Sequence, residues 1–249
     1  MQQQPPRPGR RGAGPAPRLA RAPGATADEH LLTRGPEDWR TRESWRSLRI
    51  LSEFVDAFDT LSELPPAVSV FGSARVKPGS QAYLLGERLG AALATAGYAV
   101  ITGGGPGVME AVNRGATLAG GLSVGLGIEL PFEQGLNEYL DIAMHFRYFF
   151  VRKMMFVKYA HAFCVLPGGY GTLDEMFEAL TLVQTRKVTR FPVVLLGSYF
   201  WQGLIDWLRH SLQEAGHIGP DDLDLIYLTD DPEDAVAYIQ QAAGRETVD

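Results

Sequence analysis

The stretch Leu166-Pro167-Gly168-Gly169-Tyr170-Gly171-Thr172-Leu173-Asp174-Glu175 decides the fold class of this chain. An apolar run, Ala162 to Leu166, leads into it, and a helical pattern, Met176 to Val183, leads out. Three glycines in four positions let the backbone turn, and let it approach a ligand without side-chain clash. A helix starting there directs unpaired backbone N–H groups at whatever lies in front of it, which favours an anion. Thr172 and Glu175 also have the capping-box spacing, in which each side chain bonds the other's backbone N–H. Glu175 therefore has two readings at this point. It caps the helix, or it projects into a phosphate-lined pocket as a catalytic carboxylate.

The same strand–glycine–helix unit recurs on either side. Ala67 to Phe71 reads as a strand, followed by Gly72-Ser73-Ala74-Arg75 and a helix from about Ser80 to Ala96. Tyr98 to Thr102 is a second strand, opening into Gly103-Gly104-Gly105-Pro106-Gly107, with a helix from about Pro106 to Ala119. Leu122 to Ile128 is a third strand, residues 130–137 a loop, and Tyr139 to His145 an ambiguous segment with the makings of a short strand. Phe146 to Ala160 is helical and mixes Phe149, Phe150, Phe156 and Tyr159 with Arg147, Arg152, Lys153 and Lys158. Beyond the opening stretch the pattern gives a strand at 191–196, a helix at 199–214, a strand at 225–229 and a final helix at 232–242.

Strands alternating with helices predict an α/β, Rossmann-like fold: a mainly parallel sheet with helices on both faces. Ligands of such sheets bind beyond the carboxyl ends of the strands, where the strand order reverses. All three glycine-bearing loops follow strands, so they are expected to gather along one edge. The domain spans 65–243. Ahead of it, Trp45, Leu48, Leu51, Val55, Phe58 and Leu61 predict an amphipathic helix within 39–64. Residues 1–38, rich in Pro, Gly, Ala and Arg without periodicity, read as a disordered tail.

Charge separates the tail from the body. Residues 1–23 hold five arginines and no acid; without them the chain has 18 bases against 29 acids, a net of −11. A body that acidic is a poor nucleic-acid surface, which needs a basic patch, yet a few N–H groups and one or two bases suffice for a small anion. The single cysteine, Cys164, lies in an apolar run and reads as a buried structural thiol. No apolar run approaches the ~20 residues of a membrane span, so the expectation is a cytoplasmic protein with neither nucleic acid nor membrane as partner. The five histidines show no metal-ligand spacing.

Gly103–Gly107 is not the dinucleotide fingerprint, because Val108 stands where G-x-G-x-x-G requires glycine, and neither loop has the Lys-Ser/Thr pair of a P-loop. Two glycine loops in one sheet favour phosphate or nucleotide binding over a bare tight turn. Glu110 and Asn113, three apart in the following helix, face the ligand or solvent. Arg152 shares a face with Phe149 and Phe156, a partly buried setting in which a guanidinium wants an anion and matches phosphate bidentately.

Gly103-Gly104-Gly105-Pro106-Gly107-Val108-Met109-Glu110, then Arg152-Lys153, then Pro167-Gly168-Gly169-Tyr170-Gly171-Thr172-Leu173-Asp174-Glu175 resemble the LOG (Lonely Guy) family. Its signature, PGGxGTxxE preceded by an Arg-Lys pair, is present in order, and the similarity covers roughly residues 67–240. Nothing resembles the lysine motif of a pyridoxal-phosphate decarboxylase. The resemblance implies a phosphoribohydrolase that cleaves the N-glycosidic bond of N6-modified adenine nucleoside 5′-monophosphates, the cytokinin precursors, with no cofactor or metal. It implies Arg152 and Glu175 as the catalytic pair; Arg147 precedes them, but Arg152 is the arginine followed by lysine. Gly72, Ser73, Gly103, Gly104, Gly105, Gly107, Glu110, Asn113, Lys153, Gly168, Gly169, Gly171 and Thr172 are the expected substrate-binding residues. The family's assemblies imply a homodimer or homohexamer. General purine or pyrimidine nucleotide salvage and a non-catalytic nucleotide or cofactor carrier remain as other readings.

Overall fold

The computed structural model describes residues 26–32, 39–130, 135–185, 187 and 191–244. Seven strands form its sheet: β1 (Ala67–Phe71), β2 (Ala99–Thr102), β3 (Ser123–Ile128), β4 (Ile142–Phe146), β5 (Ala160–Val165), β6 (Val193–Leu196) and β7 (Ile226–Thr229). Eight α-helices accompany them: α1 (Ala27–Leu32), α2 (Trp39–Leu61), α3 (Gln81–Thr95), α4 (Val108–Leu118), α5 (Phe149–Lys158), α6 (Tyr170–Gln184), α7 (Ser198–Trp207) and α8 (Pro232–Gly244).

The strand order is β4-β3-β2-β1-β5-β6-β7, and every neighbouring pair is parallel. The chain lays β1 to β4 outward in one direction, then crosses back to place β5 on the other side of β1. The order therefore reverses between β1 and β5, which opens a crevice beyond their carboxyl ends.

Both faces of the sheet are covered, so its central strands are apolar throughout rather than alternating. On one face Val68, Val70, Val100, Cys164 and Leu166 pack beneath α3, α4 and α8, with Leu89, Leu93, Val112 and Ile239. On the other, Phe71, Ile101, Phe163 and Leu195 pack beneath α5, α6 and α7, with Phe156, Met176 and Trp201. The rings of Phe156 and Phe163 each lie 4.9 Å from Phe71, which stacks this layer directly below the crevice. Ser69, fully buried in β1, satisfies its hydroxyl by donating to the Phe156 carbonyl at the end of α5. Cys164 is also fully buried, where desolvation pushes its thiol pKa up.

One open reading is resolved and two expectations need correction. The ambiguous segment after the loop is a regular parallel edge strand, β4, paired along its length with β3. The helix expected over 199–214 is α7 continuing into a wider π-type turn, Leu208–Gln213. The tail read as disordered contains α1: Thr26 Oγ accepts the Glu29 N–H, and Asp28 and Glu29 place negative charge in its first turn. Two acids there complement the helix dipole, and long-range bonds hold the turn, since Ala27 N donates to Glu129 and Asp28 accepts the Phe149 N–H. Residues 1–25 and 33–38 of that tail lie outside the described residues.

Candidate functional site

The loops after β1, β2 and β5 meet beyond the sheet. Ser73 N donates to the Pro167 carbonyl, tying the β1 loop to the β5 loop, and Val108 N donates to the Ser73 carbonyl, tying it to the start of α4. Gly107 makes that second junction possible: its φ is +71°, and a Cβ there would lie 2.5 Å from the Ser73 carbonyl oxygen. Between the loops and α5 lies a cavity of about 590 Å³, lined among others by Gly72, Ser73, Gly103, Arg152, Gly169, Gly171, Thr172 and Glu175. That volume suits a small organic ligand.

The opening stretch starts α6 earlier than its apolar pattern suggests. The helix begins at Tyr170, and its N-cap is Gly169, which contributes no side-chain cap. Thr172 and Glu175 lie inside the first two turns, so the capping-box reading fails: neither occupies the position from which it could cap. The amides of 170–172 have no helical carbonyl to bond and front the cavity, an arrangement that favours an anion. Within the turn the glycines divide into two kinds. Gly168 is packed against Thr172, whose Oγ1 would lie 2.1 Å from an added Cβ. Gly169 and Gly171 have nothing within 4 Å of such a position, and both line the cavity, where a ligand has the space a side chain would take.

Glu175 is 7% exposed, and its Oε2, alone among the described residues' buried side-chain polar atoms, has no hydrogen-bond partner. Burial raises its pKa from 4.5 to about 7, against the opposing pull of Lys153 and Arg152. Arg152 enters from the other wall, on α5. Its Nε donates to the Leu126 carbonyl at 2.7 Å, and its guanidinium lies 5.0 Å over the Phe156 ring. It also lies against Gly103, where a Cβ would come within 2.4 Å of Nη2. Burial lowers the Arg152 pKa to about 10, with the Glu175 charge acting the other way, so it stays protonated at neutral pH. A buried carboxylate oxygen lacking a partner and a partly buried guanidinium thus share one cavity, each shifting the other.

The remaining expected residues are placed around this centre rather than in it. Lys153 bridges Asp174 at 2.9 Å and Glu178 at 2.6 Å, clamping α5 to α6 on either side of Glu175. Burial acts to lower the Lys153 pKa, but the bonds to Glu178 and Asp174 outweigh it and raise it. Asn113 is fully buried and spends its amide on structure: its carbonyl accepts Thr102 Oγ at 2.6 Å and Asn137 Nδ2 at 3.0 Å, and its own Nδ2 donates to Ser123. Asn137 in turn donates to the carbonyls of Gly104 and Gly105. Asn113 therefore holds the Gly103–Gly107 loop from behind and does not line the cavity. Glu110 also lies off the cavity, accepting the Tyr83 hydroxyl at 2.9 Å. Arg147 is outside it too; its backbone N donates to Glu53 of α2.

Residues not anticipated complete the wall. Phe71 and Phe156 form its floor, Met109 packs against Gly103 and Gly105, and Arg75 stands exposed at the mouth on the β1 loop. Arg75 had a signal in the sequence, a base three residues past a strand-ending glycine. Met109 lay within the glycine-loop segment that carries the family resemblance, with nothing in its spacing to mark it as cavity lining.

Comparison with known proteins bears on the same segments. A family described as possible lysine decarboxylase matches residues 109–239. A cytokinin riboside 5′-monophosphate phosphoribohydrolase of Mycobacterium tuberculosis is 31% identical over 155 residues, 61% of this chain and 82% of that protein. The protein of the same name from Rhodococcoides fascians is 29% identical over 184 residues, 71% of this chain and 90% of that one. The chain belongs to the LOG family. A structure of a molybdenum cofactor binding protein from Rippkaea orientalis shares the fold with this LOG chain at a TM-score of 0.55 and 25% identity, over 72% of this chain and 98% of that one. Among the described residues no helix is long and apolar enough to cross a membrane.

Proposed function

We propose that the chain is a phosphoribohydrolase, hydrolysing the N-glycosidic bond of nucleoside 5′-monophosphates, N6-modified adenine nucleotides foremost. The observation that carries this reading is the meeting of Glu175 and Arg152 in one glycine-framed cavity. The 5′-phosphate is assigned to the first amides of α6, Ser73 and the Thr172 hydroxyl, with Arg75 at the mouth. The ribose then lies over Glu175 and the base against the Phe71, Met109 and Phe156 side. Cleavage passes through an oxocarbenium-like ribosyl centre. The bond from the anomeric carbon to the base nitrogen breaks, and its electron pair leaves with the base, which takes up a proton. The oxygen of a water molecule bonds to the anomeric carbon, giving ribose 5-phosphate. The ionised Glu175 stabilises the positive centre and orients or deprotonates that water. Arg152 anchors the phosphate or assists the departing base, and holds Glu175 in its charged form. No step calls for a metal or organic cofactor, and we assign the protein to the cytoplasm.

A second reading has an observation in its favour: the similar structure just described is of a protein that binds a cofactor. On that reading the cavity holds a phosphate-bearing molecule without chemistry. An unpaired carboxylate inside an anion site argues against it, since a carrier would gain nothing from a buried negative charge beside its ligand. Incubation with isopentenyladenosine monophosphate, AMP and isopentenyladenosine, followed by chromatography, separates the readings. Free base from the modified monophosphate supports the proposal. Base from AMP alone supports a salvage enzyme, base from no monophosphate supports a carrier, and equal cleavage of the riboside removes the role given to the phosphate loops.

A further inference from the structure

Lys153 follows Arg152 on α5, yet it does not line the cavity. Its ammonium reaches across to α6 instead, 2.9 Å from Asp174 Oδ2 and 2.6 Å from Glu178 Oε2. Those two acids stand four residues apart and so on one face of the helix, with Glu175 between them in sequence. The ion pairs therefore join the helix of Arg152 to the helix of Glu175, next to the one residue and within a turn of the other. The Lys153 side chain is 18% exposed, so its charge is screened less than that of a surface lysine.

Glu175 feels that charge. Of the two cations that favour its ionised form, Lys153 has the larger effect and Arg152 the smaller, while Glu178 and Asp174 act the other way. From the β1 loop the cavity receives Arg75, exposed at the mouth. Glu175 Oε2 has no hydrogen-bond partner, so no direct bond to that oxygen fixes its charge or its direction. The task falls to the charged groups around it.

We propose that Lys153 is a positioning residue: clasped by Asp174 and Glu178, it fixes the spacing of α5 and α6 and holds Glu175 ionised across the cavity from Arg152. It acts through Glu175 and not on the substrate, in place of the substrate-binding role expected from its motif. The role rests on the phosphoribohydrolase reading for its turnover assays alone. The two sides of the clasp have opposite electrostatic signs. Removing Lys153 takes away an attraction and leaves Asp174 and Glu178 uncompensated, so the ionisation of Glu175 moves to higher pH. Removing the Glu178 charge takes away a repulsion, so the ionisation moves to lower pH. A clasp that only held two helices together would weaken from either side without moving the ionisation at all.

Thermal melts and pH profiles of the full-length chain test this. The parent, Lys153→Met, Lys153→Arg and Glu178→Gln are each melted between pH 4.5 and 9 with and without Glu175→Gln. The pH at which the difference within a pair stops growing reports the Glu175 ionisation, whether or not the protein turns over. It should be about 7 in the parent, about one pH unit higher in K153M and lower in E178Q. K153R keeps the charge and should stay near the parent. The kcat/KM profile for isopentenyladenosine monophosphate should move with it: K153M loses about fivefold at pH 7 from the shift alone and recovers at pH 9. An unmoved ionisation in K153M with turnover lost at every pH would make the clasp merely structural and overturn the proposal. So would a raised KM with kcat unchanged, which would return Lys153 to substrate binding. If K153M does not fold, E178Q decides by itself, and an ionisation that stays or rises overturns the proposal. Shifted melts with no base released even by the parent would sustain the role of Lys153 and remove the phosphoribohydrolase reading instead.

Discussion

Replacing Glu175 by glutamine should make the protein more stable at neutral pH while removing its activity. Burial raises the Glu175 pKa from 4.5 to about 7. Below 4.5 the native and unfolded states both hold the proton, and the native state has its full stability with respect to this group. As pH rises past 4.5 the unfolded state releases its proton while the native state keeps it, so stability falls. The loss is complete once the pH has passed about 7 and the buried carboxyl has itself ionised. The interval from 4.5 to about 7, at ~1.36 kcal/mol per pH unit, comes to about 3 kcal/mol. The attraction of Lys153 and Arg152 is already contained in that interval, because it acts on the same pKa. Glutamine has nearly the shape of the protonated acid and never ionises, so it avoids the loss.

Thermal melts of the parent and E175Q across pH 4.5 to 8 measure this directly. At pH 8 the variant should melt higher by about 6–12 °C, taking ~2–4 °C per kcal/mol for a chain of this size. At pH 4.5 the two should coincide. A variant no more stable than its parent at pH 8, or a difference that does not change with pH, would refute the reasoning. Turnover of isopentenyladenosine monophosphate should fall about 10²–10⁴-fold in the same variant.

Three other outcomes follow from the geometry. With Glu175 acting as the ionised base, kcat/KM should rise with pH through about 7; a profile falling above that pH would assign it the role of acid. Gly168→Ala should destabilise the fold by about 1–3 kcal/mol through its clash with Thr172, whereas Gly169→Ala, with open space around it, should keep its melting temperature and raise KM. Asn113→Leu strips partners from Thr102, Ser123 and Asn137 and should cost about 2–4 kcal/mol in denaturant unfolding; a change under about 1 kcal/mol would remove its role in holding the glycine loop.

The parts of the fold legible in the sequence were those fixed by local periodicity and by backbone chemistry. Strands buried on both faces, such as Val68–Phe71 and Ala162–Val165, read as plain apolar runs, and the glycine turns after them placed three loops on one edge. Arg152 was legible because two phenylalanines share its helix face. What the sequence left open depends on contacts between distant segments. The spacing of Glu110 and Asn113 says nothing of Tyr83, Ser123 or Asn137, the groups that take them up. The capping box of Thr172 and Glu175 was a local pattern overridden by an earlier helix start at Tyr170. β4 was ambiguous because an edge strand, half exposed, lacks a continuous apolar run. α1 escaped notice because six residues are too few to show a period, and its anchors, Glu129 and Phe149, lie about a hundred residues away.

The two shifted groups also constrain how a substrate sits. A phosphate dianion placed beside Glu175 would raise its pKa further and leave it protonated at neutral pH, unable to stabilise a cation. The phosphate must therefore lie apart from Glu175, and the fold provides the separation: the free amides open at the start of α6, while Glu175 lies more than a turn further along the same helix. Arg152 lines the same cavity from α5, bonded through Nε to Leu126 and resting on Gly103. On the proposed reaction, the ribosyl centre lies in the stretch of the cavity between that phosphate and Glu175. On that reading, positive charge developing there would lower the Glu175 pKa just as the glycosidic bond breaks, so the carboxylate would be most stable in its ionised form at the transition state. The desolvation that weakens the resting protein at Glu175 would thus be relieved at the point of highest energy along the proposed reaction.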